Sequence, residues 1–343
     1  MKRIPVHVIT GFLGSGKTTL LNQLLRHDGF GRTAIIINEF GQTGLDHLFI
    51  EGREDGIFEL SNGCLCCTIR GELAHTLLSL PMQGIDNVIV ETTGLADPVP
   101  VLQAIISHPQ VADRFEAASL TCLVDVLNGF QQLHEHQEAR LQVALADQII
   151  VTKLDMLTAG EQAPQLEKLK AALQGHNSRS PIIAKAELVL GPAMFKASSN
   201  RILHQLPSPL NHHHDVNRHG ENIRTTILAN AQPMPAQAIE MFCKLLTSAY
   251  APHLLRLKGL ASVEGCNGPL VLHAIHGVLH EPKALEKWPD ADHSTRIVVI
   301  LRDLDPDLVK RLFAGFANVP QADAPDRQAL IDNPLAIAGH SHN

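Results

Sequence analysis

The octapeptide Gly11-Phe12-Leu13-Gly14-Ser15-Gly16-Lys17-Thr18 directly follows an apolar run at 6–9 and directly precedes a segment of helical spacing at 18–26. A GxxxxGK[ST] loop in this strand-to-helix setting admits few folds. Its glycines turn successive backbone N–H groups inward at a helix N-terminus and so build a seat for phosphate oxygens. In such a loop the lysine reaches the β- and γ-phosphate oxygens and the following hydroxyl ligates Mg²⁺. Gly11, Gly14, Ser15, Gly16, Lys17 and Thr18 are therefore the phosphate-side residues the pattern implies. An ordinary glycine turn before a helix is the plain alternative, and it accounts for neither the Lys-Thr pair nor the strand in front of it.

Short β-rich runs at 6–9, 34–38, 88–90, 119–124 and 148–151 alternate with helical spacing at 18–26 and 73–80. That alternation predicts βαβ units and an α/β fold, a P-loop NTPase domain on a mostly parallel sheet. With 343 residues the chain exceeds what one core usually organises, so a second domain is expected. Between 206 and 222 the pattern gives way to Pro, Asn, Asp and His, including His212, His213 and His214, which reads as a linker. Strand-like segments at 223–230, 268–274 and 296–301, with helical spacing at 235–248 and 306–315, predict a smaller α+β C-terminal domain. The expected division is 1–205 for the P-loop domain, 206–222 for a His-rich linker, 223–316 for the α+β domain and 317–343 for a flexible tail. Of the twenty histidines, the linker run suits weak metal capture and plain solvation equally.

Charge and cysteine usage narrow the class of partner. With 28 Lys and Arg against 35 Asp and Glu, nothing attracts nucleic acid or an anionic membrane surface. No export signal is readable, because Pro5 and His7 interrupt the apolar run after Arg3, and no stretch is long enough to cross a bilayer. Cys64, Cys66 and Cys67 lie within four positions while Cys122, Cys243 and Cys266 are scattered, a poor disulfide framework that fits a reducing, cytoplasmic compartment.

Two further segments address the nucleotide. Val88-Ile89-Val90-Glu91-Thr92-Thr93-Gly94 reads as a buried strand delivering a carboxylate and then a glycine at its C-terminal end, where α/β sheets place ligands. Glu91 suits a role beside the magnesium-bound water and Gly94 a role at the γ-phosphate. Thr152-Lys153-Leu154-Asp155 follows the strand at 148–151. A carboxylate accepts from guanine N1–H and its 2-amino group together but offers nothing to the acceptor N1 of adenine, and a lysine stem can cover a base face. Asp155 thus argues for GTP. Thr152 stands where most guanine-specific folds have Asn, and a plain strand-to-helix turn is the competing reading.

Cys64-Leu65-Cys66-Cys67 follows the turn-forming Ser61-Asn62-Gly63. Thiolates at this density are soft ligands suited to Zn²⁺ or Cu(I). Three sulfurs leave a tetrahedral ion one position short, to be filled by Glu39, a histidine, water or an incoming acceptor protein. A buried structural cysteine group or a redox pair are the alternatives.

Taken together these pieces resemble the CobW-type family of metallochaperone GTPases, relatives of the urease and hydrogenase nickel-insertion GTPases. The resemblance rests on Thr10 to Leu21 around the loop, Asn38-Glu39-Phe40-Gly41, Gly63-Cys64-Leu65-Cys66-Cys67, Glu91-Thr92-Thr93-Gly94-Leu95-Ala96-Asp97-Pro98 and Thr152-Lys153-Leu154-Asp155. In the second half it rests on Leu254-Leu255-Arg256-Leu257-Lys258-Gly259 and His293-Ser294-Thr295-Arg296. It implies slow intrinsic GTP hydrolysis, switch regions at 38–46 and 91–97, and zinc held by Cys64, Cys66 and Cys67. Glu39 would be an additional zinc ligand, Asp46 a magnesium-side carboxylate and Thr19 a further phosphate-side residue. Gln42 stands where the family often has Glu, and Ile300-Leu301 replaces the usual Ile-Gly of a C-terminal strand. The implied activity is a GTPase that delivers zinc, with cobalt or nickel still open, to a metal-requiring client protein. A P-loop small-molecule kinase, and a metal-storage or sensing protein with a regulatory nucleotide site, are the competing functional classes.

Overall fold

The computed structural model describes residues 3–27, 32–37, 57–59, 67–81, 84–191, 193–195, 223–275 and 277–317. Glu39, Asp46, Cys64, Cys66, the 206–222 segment and the residues after Ala317 lie outside them, as does the side chain of Cys67.

The first half alternates strands and helices: β1 Ile4–Gly11, α1 Lys17–Leu25, β2 Thr33–Ile37, β3 Ile57–Glu59, α2 Cys67–Ser79, β4 Asn87–Glu91, α3 Pro98–Ser107, α4 Pro109–Arg114, β5 Phe115–Asp125, α5 Gly129–Glu135, α6 Gln137–Leu145, β6 Gln148–Thr152, α7 Ala159–His176 and β7 Ile182–Ala184. The seven strands form one sheet in the order β3-β2-β4-β1-β5-β6-β7, every pair parallel. Strands β1, β4 and β6 are buried almost throughout, which is why they read in the sequence as unbroken apolar runs and not as alternating ones. Strand order reverses at β1, with β4 on one side and β5 on the other, and a parallel sheet opens its ligand crevice beyond the carboxyl ends at such a point.

The second half contributes β8 Ile223–Asn230, α8 Ala236–Ser248, β9 Leu254–Ala261, β10 Leu270–Ile275, β11 Val278–Leu279, β12 Lys283–Ala284, β13 Thr295–Arg302 and α9 Pro306–Phe316. Its sheet runs β11-β10-β9-β13-β8 with β12 on β10, all antiparallel. One face packs on α8 and α9, where Phe242 and Phe313 meet edge to face at 5.2 Å. From the other face Leu255, Ile275, Val298 and Ile300 join the apolar cluster of the first sheet.

Helix α3 is what both sheets share. Eight of its ten residues are buried, so it is apolar all round, as a helix enclosed on every side must be. Asp97 caps it, its carboxylate accepting from the Val99 N–H at 2.8 Å, with Pro98 at the first helical position where a missing N–H costs nothing. Among the described residues, no helix is long and apolar enough to cross a membrane.

The elements read from the sequence are present, but the segments that form β3, α3 to α7, β7 and β9 were not read as elements, and one boundary shifts informatively. Helical spacing is legible only from residue 73, whereas α2 begins at Cys67, so the last cysteine of the cluster opens a helix.

Candidate functional site

β1 delivers the chain to Gly11, whose φ of 145° only glycine tolerates comfortably and where a Cβ would collide with the Leu123 carbonyl oxygen of β5. Gly14 and Gly16 also have positive φ, 73° and 91°, and Gly16 hands over to α1 as its N-cap. The loop therefore wraps around the positive end of α1, the arrangement that binds phosphate.

Inside that cradle Lys17 is buried, and its ammonium donates to the carbonyls of Gly11 at 2.8 Å and Phe12 at 3.2 Å. Ser15 Oγ is buried against Gly11 with no hydrogen-bond partner among the described residues, a polar atom left to be satisfied within the loop. Thr18 Oγ1 donates to Glu91 Oε1 at 3.0 Å, and Glu91 is brought there by register, since it pairs with Ile9 two residues before the loop. A hydroxyl and a buried carboxylate are hard oxygen donors and fit Mg²⁺, whose role when bound would be to neutralise phosphate charge. Thr19 is exposed on α1 beside them.

Past β4 the chain turns tightly against the loop. A Cβ on Gly94 would sit 2.7 Å from the Leu13 nitrogen and 2.8 Å from its Cα, so glycine is required for this contact. The same turn is held from behind by Gln142, whose amide donates to the Gly94 and Ala96 carbonyls at 3.1 and 3.0 Å.

On the base side, Thr152 Oγ1 donates to the Ser15 carbonyl at 2.8 Å, so the threonine that replaces the usual Asn still ties this strand end to the loop. Lys153 has a φ of 62° and its ammonium pairs with Asp125 Oδ2 at 2.7 Å. Burial alone would raise the Asp125 carboxyl, but the Lys153 ammonium, the Asn128 amide and the Leu127 N–H together hold it below the usual carboxylate range. Asp155 follows on a short turn and is exposed, open to a base from solvent.

The structure thus brings together Gly11, Gly14, Ser15, Gly16, Lys17, Thr18, Glu91, Gly94, Thr152 and Lys153, with Asp155 at the rim. Sequence reasoning missed Asp125 and Gln142. The first carried a signal, a carboxylate at the carboxyl end of a strand beside β1, the same logic that selects Glu91. Gln142 carries none, because only tertiary packing sets it under the 94–96 turn. Of the scattered cysteines, burial pushes the thiols of Cys122 and Cys243 up to about 12, so both stay neutral thiols. Among the described residues no group of three or more His, Cys, Asp or Glu is placed to hold a metal ion.

A glycine loop, a buried lysine and a Thr-carboxylate pair at the switch point of a parallel sheet define a P-loop nucleotide-binding protein. The chain belongs to the CobW/HypB/UreG family: residues 5–183 match its nucleotide-binding domain and residues 223–317 match the cobalamin synthesis protein CobW C-terminal domain. It is 30% identical over 323 residues to zinc chaperone YjiA of Escherichia coli, covering 92% of this chain and 99% of that one. It is likewise 30% identical over 343 residues to zinc chaperone CobW of Pseudomonas aeruginosa, covering 89% of each. The crystal structure of Zn(II)-bound YjiA GTPase from E. coli shares the fold, with a TM-score of 0.64 at 24% identity over 92% of this chain and 99% of that one.

Proposed function

We propose that this protein is a cytoplasmic GTPase that carries zinc and delivers it to a metal-requiring client protein. In this reading Gly11, Gly14, Ser15, Gly16, Lys17, Thr18 and Thr19 hold the phosphates, Thr18 and Glu91 stand at the magnesium with Asp46, Gly94 reports the γ-phosphate, and Thr152, Lys153 and Asp155 receive guanine. Cys64, Cys66 and Cys67, with Glu39, hold the zinc as cargo. Relatives at 30% identity named zinc chaperones support this choice of metal.

The single observation that carries the coupling is one register row. Glu59 at the end of β3 pairs with Ile37 at the end of β2, and Ile37 pairs with Glu91 at the end of β4. Two strand spacings put the Glu59 backbone roughly 10 Å from that of Glu91. The chain leaves β3 at Glu59 and enters α2 at Cys67, so the cysteine motif lies in the connection that starts from this row of strand ends. Residues 38–46 likewise leave from Ile37 in that row.

The deciding experiment is GTP against ATP turnover by the full-length protein, with and without one equivalent of zinc. GTP-selective hydrolysis whose rate zinc alters supports the reading. Equal use of ATP, or phosphate transfer to an added small-molecule acceptor, points to a kinase. Tight zinc binding with no turnover points to storage.

A further inference from the structure

Arg256 and Lys258 stand two residues apart on β9, so their side chains share one face of the strand. The β9–β13 register slips between Ile300, opposite Arg256, and Leu301, opposite Leu254, and the extra residue Leu255 joins the shared apolar cluster. That face looks toward the first sheet, where Asp147, just before β6, accepts from Arg256 Nη2 at 2.7 Å and Lys258 Nζ at 3.1 Å. The other Asp147 oxygen is taken by the Leu120 N–H at 2.8 Å, and Arg256 also donates to the Leu145 carbonyl.

Beside this group lies a cavity of about 40 Å³, lined among others by Arg179, Arg256, Lys258, Asp147 and Thr225. Arg179 comes from the turn between α7 and β7. Its Nε and Nη1 are buried and donate to nothing among the described residues, and Arg256 Nε is in the same condition. Burial pulls the Arg179 guanidinium down to about 10, still charged at neutral pH. Three formal cations and one carboxylate line the cavity, with Asp147 paired to Arg256 and Lys258 and Arg179 left without a carboxylate partner among the described residues. Buried donors without acceptors are costly, and a ligand that accepts from them removes that cost.

We propose that this cavity is a second anion site, distinct from the P-loop, that takes a small doubly charged oxyanion of the phosphate or sulfate class. Three formal cations against one carboxylate match a dianion, and planar guanidinium groups suit its oxygens. The volume exceeds what one water needs and falls well below sites for drug-sized ligands. Asp147 precedes β6 whereas Lys17 follows β1, so the site lies at the opposite edge of the parallel sheet from the nucleotide. Arg179 belongs to the P-loop half and Arg256 and Lys258 to the second half, so a bound anion ties the two together.

The test is calorimetric titration of the full-length protein, saturated with GDP and Mg²⁺, with inorganic phosphate at constant ionic strength, chloride replacing phosphate. One saturable equivalent is expected, with sulfate competing for it. Arg179→Ala should weaken it at least tenfold and leave GDP affinity unchanged. Thr225→Glu plants a carboxylate in the cavity and should abolish phosphate binding in a stably folded protein, which keeps the test decisive if Arg179→Ala folds poorly. No saturable phosphate binding by the parent protein overturns the proposal. So does equal phosphate affinity in folded Arg179→Ala or Thr225→Glu, which would put the ion beside GDP in the P-loop.

Discussion

Thr18, the second residue of α1, donates to Glu91, the last residue of β4, at 3.0 Å across 73 positions of sequence. The bond joins the loop that holds phosphate to the strand that leads into the 92–97 turn. Glu91→Gln keeps an acceptor for Thr18 but removes the charge. GTP turnover is expected to fall by about 10- to 100-fold and the magnesium needed for half-maximal rate to rise, with little change in melting temperature. Turnover within twofold of the parent would place the magnesium-side carboxylate elsewhere.

Asp155 is exposed, and its proposed role is to accept from two guanine donors. Asp155→Asn should weaken GTP binding by about 1.5–3 kcal/mol, the worth of a charge-assisted hydrogen bond, and weaken xanthosine triphosphate less. Nucleotide competition binding reads both numbers. If the parent binds ATP as tightly as GTP, Asp155 does not choose the base.

Linkage between zinc and nucleotide must be reciprocal. If the form with a non-hydrolysable GTP analogue and the GDP form differ in zinc affinity, by about 5- to 150-fold for a typical coupling, zinc must shift the GTP/GDP preference by the same factor. Competitive zinc titration in both nucleotide states measures it, and Cys66→Ala or Cys67→Ala should abolish it. Identical zinc affinity in the two states would leave two independent sites on one chain.

His7 supplies an acid-sensitive element in the first core. It is buried in β1, stacked on Phe195 at 4.2 Å between ring centres and hydrogen-bonded to Ser119 Oγ at 2.8 Å. Burial lowers its pKa to about 4, against a smaller raising effect from Asn87. As pH falls through 6.5 the unfolded chain takes up the proton first, so stability is intact above that value and drains away between pH 6.5 and 4. The loss reaches on the order of 3 kcal/mol. Melting temperature against pH should show this slope, and His7→Phe should flatten it. An unchanged slope in His7→Phe would assign the acid loss to other groups, His273 and His280 among them, both lowered by burial.

Much of the site was legible before any coordinates because its chemistry is local. The cradle is contiguous, and positive φ at Gly11, Gly14 and Gly16 is what a loop of this spacing needs. Glu91 was readable only beside the loop, since alone a strand ending in Glu reads as a surface position. Helix α3 was not, since it lacks a polar face and its apolar stretch gives no helical period to detect. Glu39, Asp46, Cys64 and Cys66 stand on their residue types and on the family alone.

The sequence by itself determined the strand-loop-helix core, the choice of phosphate as ligand and the presence of a CxCC cluster, because each depends on residues adjacent in the chain. The tertiary structure alone decided which distant groups those pieces meet. Strand register set Glu91 beside the loop and Glu59 in the same row. Helix packing put Gln142 under Gly94, and the docking of the two sheets set Arg256 and Lys258 on Asp147, with Arg179 lining the same cavity. Those pairings come from long-range burial of apolar surface, which no local pattern in the chain encodes.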